Sequence, residues 1–355
     1  MNKIQNLVEN RWVEGLGQGT ELHHAVTGDV VGVASTDGID FESAYKYARE
    51  MGGAALRSMT FQERGRMLKR LALHLHGMKD QFYAVSWATG ATKVDAWIDI
   101  EGGIGNLFAN ASLRRRLPDT PFATDGEFVP LSKEGTFGGH HILVPKRGVA
   151  VHINAFNFPV WGMLEKVAVN WLAGVPAIVK PATVTCFLTE AVVAAIHDSG
   201  ILPPGALQLV CGSARNILDH VDERDVVTFT GSASTGIALK QHPRISQHAV
   251  PFNMEADSLN SAILGPDAVP GTPEFDLFVK EVRKEMTVKC GQKCTAVRRV
   301  FVPAAVQEEF QAALMAQLHK TQVGDPQKEG VRMGALVGKA QVQDVLDQVA
   351  RLEQE

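Results

Sequence analysis

With 355 residues, 45% apolar and 21% charged, the chain has a globular composition and enough length for more than one core. A formal net charge of −4 excludes a global basic field that would recruit nucleic acid or anionic lipid. Four cysteines (Cys186, Cys211, Cys290, Cys294) are too few and too scattered for a disulfide framework, and no segment has the length of an uninterrupted apolar membrane span.

The first ten residues carry an acidic group and no long apolar core, so they do not read as a secretory signal. A cytoplasmic location is the expectation. Gly15-Leu16-Gly17-Gln18-Gly19 has no strand–helix context and reads as a hairpin turn. Residues 42–117 read as mostly helical. Met67, Leu68, Leu71 and Leu75 recur at helical spacing, and Thr60 with Glu63 predicts a capping box. Leu113-Arg114-Arg115-Arg116-Leu117 fits a solvated helix end, where cations oppose the negative dipole. Residues 118–147 are rich in Pro and Gly and predict a β-hairpin excursion.

From 148 onward, short apolar runs alternate with helical stretches. Strands are predicted at 148–153, 177–180, 207–211 and 226–230, and helices near 161–173, 187–199, 214–221 and 234–241. Such units predict a parallel sheet covered on both faces, with ligands bound beyond the carboxyl ends of the strands. After 250 come a strand into Glu255, strands at 261–264 and 299–303, and helices at 275–288, 305–320 and 339–352. This second run holds about three strands, few for an independent α/β unit.

Cys294 and Glu255 carry the chemistry. Gly291-Gln292-Lys293-Cys294 offers a thiol in a glycine-containing turn flanked by cations, and Glu255 closes an apolar strand. Only the thiolate is a good nucleophile, and a carboxylate can take its proton or a proton from water. Together they point to covalent catalysis at a carbonyl followed by hydrolysis. Taken alone, Cys294 would read as a small buried hydrophobe.

Other strand-end residues are ambiguous by themselves. Gly231-Ser232-Ala233-Ser234-Thr235-Gly236 follows a strand, but Ile237-Ala238 replaces the Lys-Ser/Thr of a P-loop. A backbone approach to phosphate and a simple tight turn explain it equally well. Lys180-Pro181 suits either a ribose or phosphate contact or a surface lysine before a helix start. Asn157, in Asn154-Ala155-Phe156-Asn157-Phe158-Pro159, can donate to an oxyanion or simply form a turn. No Cys/His/carboxylate pattern has zinc-ligand spacing, and Cys290-x3-Cys294 is not Cys-x-x-Cys, so no metal is expected.

Asn157-Phe158-Pro159, Lys166, Lys180-Pro181-Ala182, Phe229-Thr230-Gly231-Ser232 with Gly236, Glu255 and Gly291-Gln292-Lys293-Cys294 occur in an order and spacing that resemble the aldehyde dehydrogenase superfamily. The resemblance covers essentially the whole chain. It implies a Rossmann-like parallel-sheet cofactor domain (1–117 and 148–250), an oligomerisation β segment (118–147) and an α/β catalytic domain (251–355). Asp99-Ile100-Glu101-Gly102-Gly103, His23-His24 and Glu255-Ala256-Asp257-Ser258 narrow it further. They resemble the branch that oxidises CoA-linked semialdehydes in aerobic aromatic degradation. Within that branch, the dehydrogenase part of the bifunctional phenylacetate ring-opening enzyme comes first. The 3,4-dehydroadipyl-CoA semialdehyde dehydrogenase of benzoate degradation is the alternative.

The resemblance implies the following roles. Cys294 attacks the aldehyde, the Asn157 amide and the Cys294 N–H hold the oxyanion, Glu255 activates water, and Lys166 relays a proton. Ile153, Asn154, Ala155, Phe156, Lys180, Ala182, Thr183, Gly212, Phe229, Thr230, Gly231, Ser232, Thr235 and Gly236 line a nicotinamide cofactor. Many relatives place an acidic residue where this chain has Thr183. A carboxylate there would repel a 2′-phosphate, so NADP is expected over NAD. A water-activating Glu255 argues against a CoA-acylating relative. Homo-oligomers are expected for the family. Relatives continue past residue 355, and the bifunctional ones add a hydratase-like ring-opening domain. The competing expectation is therefore a truncated, inactive chain.

Overall fold

The computed structural model describes residues 2–354. Four short strands open the chain: β1 (Lys3–Val8), β2 (Arg11–Glu14), β3 (Thr20–His23) and β4 (Val30–Ala34). Helices α1 (Phe41–Tyr47), α2 (Gly53–Ser58), α3 (Phe61–Gly77), α4 (Lys79–Ser86) and α5 (Lys93–Leu113) follow. The hairpin β5 (Ala123–Pro130) and β6 (Gly138–Leu143) stands as a separate antiparallel pair. The alternating region contributes β7 (Ala150–Ile153), α6 (Pro159–Ala173), β8 (Ala177–Lys180), α7 (Cys186–Asp198), β9 (Leu207–Leu209), β10 (Val226–Gly231), α8 (Ala233–Lys240) and α9 (Pro243–Gln247). The remainder contributes β11 (Phe252–Ala256), β12 (Ser261–Ile263), α10 (Pro273–Thr287), β13 (Arg299–Phe301), α11 (Gln307–Leu318) and α12 (Lys339–Leu352).

A nine-stranded sheet runs β11-β10-β7-β8-β9-β1-β4-β3, with β2 also paired to β1. The five strands from β11 to β9 are mutually parallel. Both faces of this part are covered, which is why β7 is buried throughout and, apart from His152, apolar. One face packs on α3, α5, α6 and α7 through Leu68, Leu71, Ile104, Met163, Val167 and Val192. The other carries Phe41, Tyr45, Ile178, Val227 and Phe229. Each fully buried side chain of this size contributes about 1.5–3 kcal/mol of transfer free energy. The predicted capping box at α3 forms: Thr60 Oγ1 accepts from the Glu63 N–H, and Glu63 accepts from the Thr60 N–H.

Three sequence expectations change. Gly15–Gly19 is not a hairpin turn; it carries the chain from β2 to β3, which do not pair with each other, and Gly15 packs against the backbone of Ser35. The tight hairpin is instead β1–β2, turned by Glu9 and Asn10 with φ of 52° and 61°. The stretch 214–221 makes only a short 3-10 turn, Ile217–His220. The division at 250 cuts through the first sheet, because β11 pairs in parallel with β10 over five residues. Beyond it, the second sheet among the described residues is the parallel pair β12–β13, covered by α10 and α11 around Leu264, Phe275, Val279 and Phe310.

Candidate active site

The carboxyl ends of the parallel strands form one edge. Register aligns Lys180 with Ile153, Ile153 with Phe229, and Phe229 with Met254. One residue further, Thr230 stands beside Glu255, with Asn154 on the neighbouring strand. Residues two apart on a strand share a face. Asn154, Thr230 and Glu255 therefore lie on the same face as His152, Thr228 and Asn253. His152 is fully buried there, with Nδ1 2.6 Å from the Thr228 hydroxyl and Nε2 2.7 Å from the Asn170 amide. Burial, helped by nearby Lys166, pushes its pKa down to about 3, so the ring is neutral.

Asn154 is buried with neither Oδ1 nor Nδ2 bonded to protein, and the Thr230 hydroxyl is likewise unpartnered. Buried polar atoms are ordinarily satisfied, so these are places where a bound molecule or water completes the bonding. Lys180 ends the neighbouring strand with its ammonium pKa lowered by burial. Thr183 donates its hydroxyl hydrogen to the Gly212 carbonyl at 3.1 Å. Ser232 caps α8 by accepting from the Thr235 N–H. Gly236 lies under Met254 and Phe229, where a Cβ would collide. Asp257 accepts from the Ala233 N–H at 3.3 Å, so one donor at this helix start is already engaged. A cation, unpartnered amide and hydroxyl groups, and a close glycine suit a nucleotide laid along this edge.

Cys294 reaches the same edge from the other side. After α10, Lys289 and Cys290 both take left-handed backbone conformations with φ of 54°. For non-glycine residues each costs about 1–2 kcal/mol. The Asp95 carboxylate, from α5, accepts from the Lys289 N–H at 2.7 Å and holds this turn. Asn260 Nδ2 donates to the Cys294 carbonyl at 2.6 Å and to the Ala296 carbonyl at 3.2 Å. Arg298 donates to the carbonyls of Gly291 and Lys293. The thiol of Cys294 is thereby presented at an exposed position beside Glu255.

The thiol pKa is raised. Burial contributes most, then the charge of Glu255 and its hydrogen bond to the sulfur; the N–H groups of Cys294 and Thr295 pull the other way. The expectation of flanking cations fails here. Lys293 is buried and pairs with Glu285 at 2.7 Å. Lys289 is buried too, and the charges of Asp99 and Asp95 favour its protonated form against that burial. Side-chain direction, invisible in the sequence, turns both lysines away from the sulfur. Cys290 is half-buried and its pKa is pushed up to about 11 by burial and Asp95, which leaves Cys294 as the accessible thiol of the pair.

Asn157 stands just before α6. Its Oδ1 accepts from the Phe158 N–H at 3.1 Å, leaving the Nδ2 hydrogens as its remaining donors. Lys166 Nζ donates to the Gly162 carbonyl and to Glu165, and no hydrogen bond joins it to Glu255 among the described residues. The structure thus brings together Cys294 and Glu255, and groups Lys180, Ile153, Asn154, Phe229 and Thr230 along one row. Asn260, Arg298, Asp95 and Asp99 were not singled out from sequence. The nearest signal was the run Asp99–Gly103, read as a lineage marker rather than as machinery. Among the described residues, no group of three or more His, Cys, Asp or Glu is placed to hold a metal ion, and no helix is long and apolar enough to cross a membrane.

Comparison with known proteins bears on this geometry. The aldehyde dehydrogenase family profile matches residues 12–355. A 3,4-dehydroadipyl-CoA semialdehyde dehydrogenase from Aromatoleum evansii is 48% identical over 354 residues, covering 99% of this chain and 69% of that protein. In structure, a 3,6-anhydro-L-galactose dehydrogenase in complex with NAP superposes with a TM-score of 0.84 at 21% identity, over 98% of this chain and 70% of that one. An aldehyde dehydrogenase from Bacillus cereus in an NAD+ complex gives a TM-score of 0.84 at 21% identity, over 99% and 70% of the two chains.

Proposed function

The chain belongs to the aldehyde dehydrogenase family, and from that premise we propose that it oxidises a CoA-linked semialdehyde to the carboxylic acid with a nicotinamide cofactor. The observation that carries the reading is the exposed Cys294 thiol placed close enough to the Glu255 carboxylate, at the carboxyl edge of the parallel sheet, for that carboxylate to raise its pKa.

Cys294 is the nucleophile. Its raised pKa means that the thiolate is not stored; Glu255 takes the proton as sulfur attacks the aldehyde carbon. The Asn157 Nδ2 and the Cys294 N–H serve the developing oxyanion. A nicotinamide, when bound, supplies the acceptor for the hydride lost in forming the thioester. Glu255 then activates water, and the acid leaves Cys294 as the thiol. A carboxylate at an exposed position, free to meet both thiol and water, supports hydrolysis rather than release to a second thiol.

Two finer readings follow. The sequence favoured the phenylacetate-type dehydrogenase; the 48% identity with the Aromatoleum evansii protein favours the 3,4-dehydroadipyl-CoA semialdehyde reading instead. For the cofactor, Thr183 and Lys180 in place of an acidic residue support NADP. The fold accommodates both cofactors, since the solved relatives carry NAP in one case and NAD+ in another. The test is an assay of the chain with the two CoA semialdehydes and with NAD and NADP. The proposal expects reduced cofactor and free acid, with the highest kcat/KM for 3,4-dehydroadipyl-CoA semialdehyde and NADP. A thioester product formed only in the presence of free CoA would contradict it.

A further inference from the structure

Helix α5 carries two carboxylates one turn apart on one buried face, Asp95 and Asp99, each 2% exposed. Each bonds to a different segment of the candidate site. Asp95 Oδ1 accepts from the Lys289 N–H at 2.7 Å, at the start of the left-handed turn that leads to Cys294. Its other oxygen accepts from the N–H and hydroxyl of Thr92, which locks the carboxylate orientation. Asp99 Oδ1 accepts from the N–H groups of Val160 at 3.1 Å and Trp161 at 2.7 Å.

The second contact answers a need of α6. Its N-cap position is Phe158, which has no side-chain acceptor, so the first N–H groups of the helix lack a local partner. Asp99 supplies that partner from another helix through its Oδ1 acceptor. Asn157 is the residue before that cap. One turn further along α5, Gly103 meets the backbone of Val160 and Trp161, where a Cβ would lie 3.0–3.2 Å from their atoms. The close approach lets the short Asp99 side chain reach the helix start. The Lys289 side chain, buried among these groups, feels Asp99 as its first favourable charge.

We propose that Asp95 and Asp99 are positioning residues: α5 is a rigid bar that sets the Cys294 turn and the Asn157 segment relative to one another. The inference rests on the reading of Cys294 and Asn157 given above. Neither aspartate touches a reacting group. Each acts through a backbone segment, and their fixed spacing along one helix sets the distance between nucleophile and oxyanion donor. Small displacements matter here, because misplacing reacting groups by 1 Å costs on the order of 100-fold in rate.

The test compares Asp99→Ala, Asp99→Asn, Asp95→Ala and Asp95→Asn with the parent chain. Asp99→Ala is expected to lower kcat by about 10–100-fold with KM changed less than about 3-fold. Asp99→Asn keeps one acceptor oxygen for the two N–H groups and is expected to recover most of the loss. The deciding readout is a double-mutant cycle with Asn157→Ala. If Asp99 acts through Asn157, its removal costs little once Asn157 is gone; additive losses would overturn the role. For Asp95, the readout is the rate of Cys294 alkylation by iodoacetamide, followed by mass spectrometry. Asp95→Ala, or Asp95→Asn if the alanine variant does not fold, is expected to change that rate by about 5-fold or more through thiol access and environment. An unchanged rate in a folded variant would overturn the clamp. Should the parent chain alkylate at Cys294 yet oxidise no aldehyde, the functional reading fails while the Asp95 readout still decides the clamp.

Discussion

Glu255 stands near the thiol of Cys294, and after burial its charge is the main influence that raises the thiol pKa instead of lowering it. The pair is therefore a proton-transfer couple, not a stored ion pair. Burial and repulsion keep the sulfur protonated until the carboxylate removes the proton during attack. Iodoacetamide alkylation of Cys294 in the parent should have its midpoint above the ordinary thiol range. Glu255→Gln removes the negative charge, so the midpoint should move to lower pH. Mass spectrometry should find Cys294 modified well before Cys290, whose thiol is half-buried and pushed up to about 11. A midpoint moving upward in Glu255→Gln would contradict the contact.

Hydrolysis of the thioester needs a base more than the first attack does. Glu255→Gln should keep a single-turnover burst of reduced cofactor while steady turnover falls by about 100-fold, within the usual range for loss of a general base. Stopped-flow absorbance at the reduced-nicotinamide band measures both. Equal loss of burst and turnover would assign Glu255 to thiol activation alone.

The proposed NADP preference turns on Thr183, whose hydroxyl is bonded to the Gly212 carbonyl. Thr183→Glu should weaken NADP by about 10-fold or more through repulsion of the 2′-phosphate, and change NAD by less than about 3-fold. Fluorescence titration of parent and variant with both cofactors measures it. A parent that prefers NAD, or a variant that loses both equally, would contradict the NADP reading.

His152 makes stability depend on pH. Its pKa is depressed from 6.5 to about 3 by burial. As pH falls below 6.5, the unfolded chain takes up a proton that the folded chain refuses until about pH 3. Stability from this group is full above that window and is lost as pH falls through it, with a slope of up to about 1.4 kcal/mol per pH unit. Asp99, raised to about 7 by burial, acts with the opposite sign: it favours the fold at low pH and loses that contribution as pH rises toward 7. Comparing His152→Gln with the parent cancels the Asp99 contribution. Urea unfolding between pH 7 and pH 5 should show a shallower acid loss in the variant, and equal slopes would contradict a neutral buried ring.

Much of this was legible in the residues. Thr60 and Glu63 announced the start of α3, and the apolar runs at Ala150–Ile153 and Ala177–Lys180 announced a doubly covered parallel sheet. Cys294 and Glu255 stood out as a pair, because a thiol in a glycine-containing turn and a strand-end carboxylate together offer a nucleophile and a base. The first four strands went unread because β1 buries Asn6 rather than an apolar side chain at that position. Its amide bonds to the Ser35 carbonyl and accepts from the Cys211 N–H, both far away in sequence. Lys293 misled for the same reason: its ion pair with Glu285 depends on chain direction after α10. Asp95 and Asp99 were hidden within a helix, where a carboxylate reads as a solvated face until packing shows it buried.

The most direct test of the account is rapid-quench mass spectrometry of Glu255→Gln mixed with 3,4-dehydroadipyl-CoA semialdehyde and NADP. The account predicts an acyl adduct that accumulates on the peptide containing Cys294, two hydrogens lighter than the simple aldehyde adduct, alongside a stoichiometric burst of NADPH. A burst without any covalent adduct, or an adduct carried by Cys290, would contradict it.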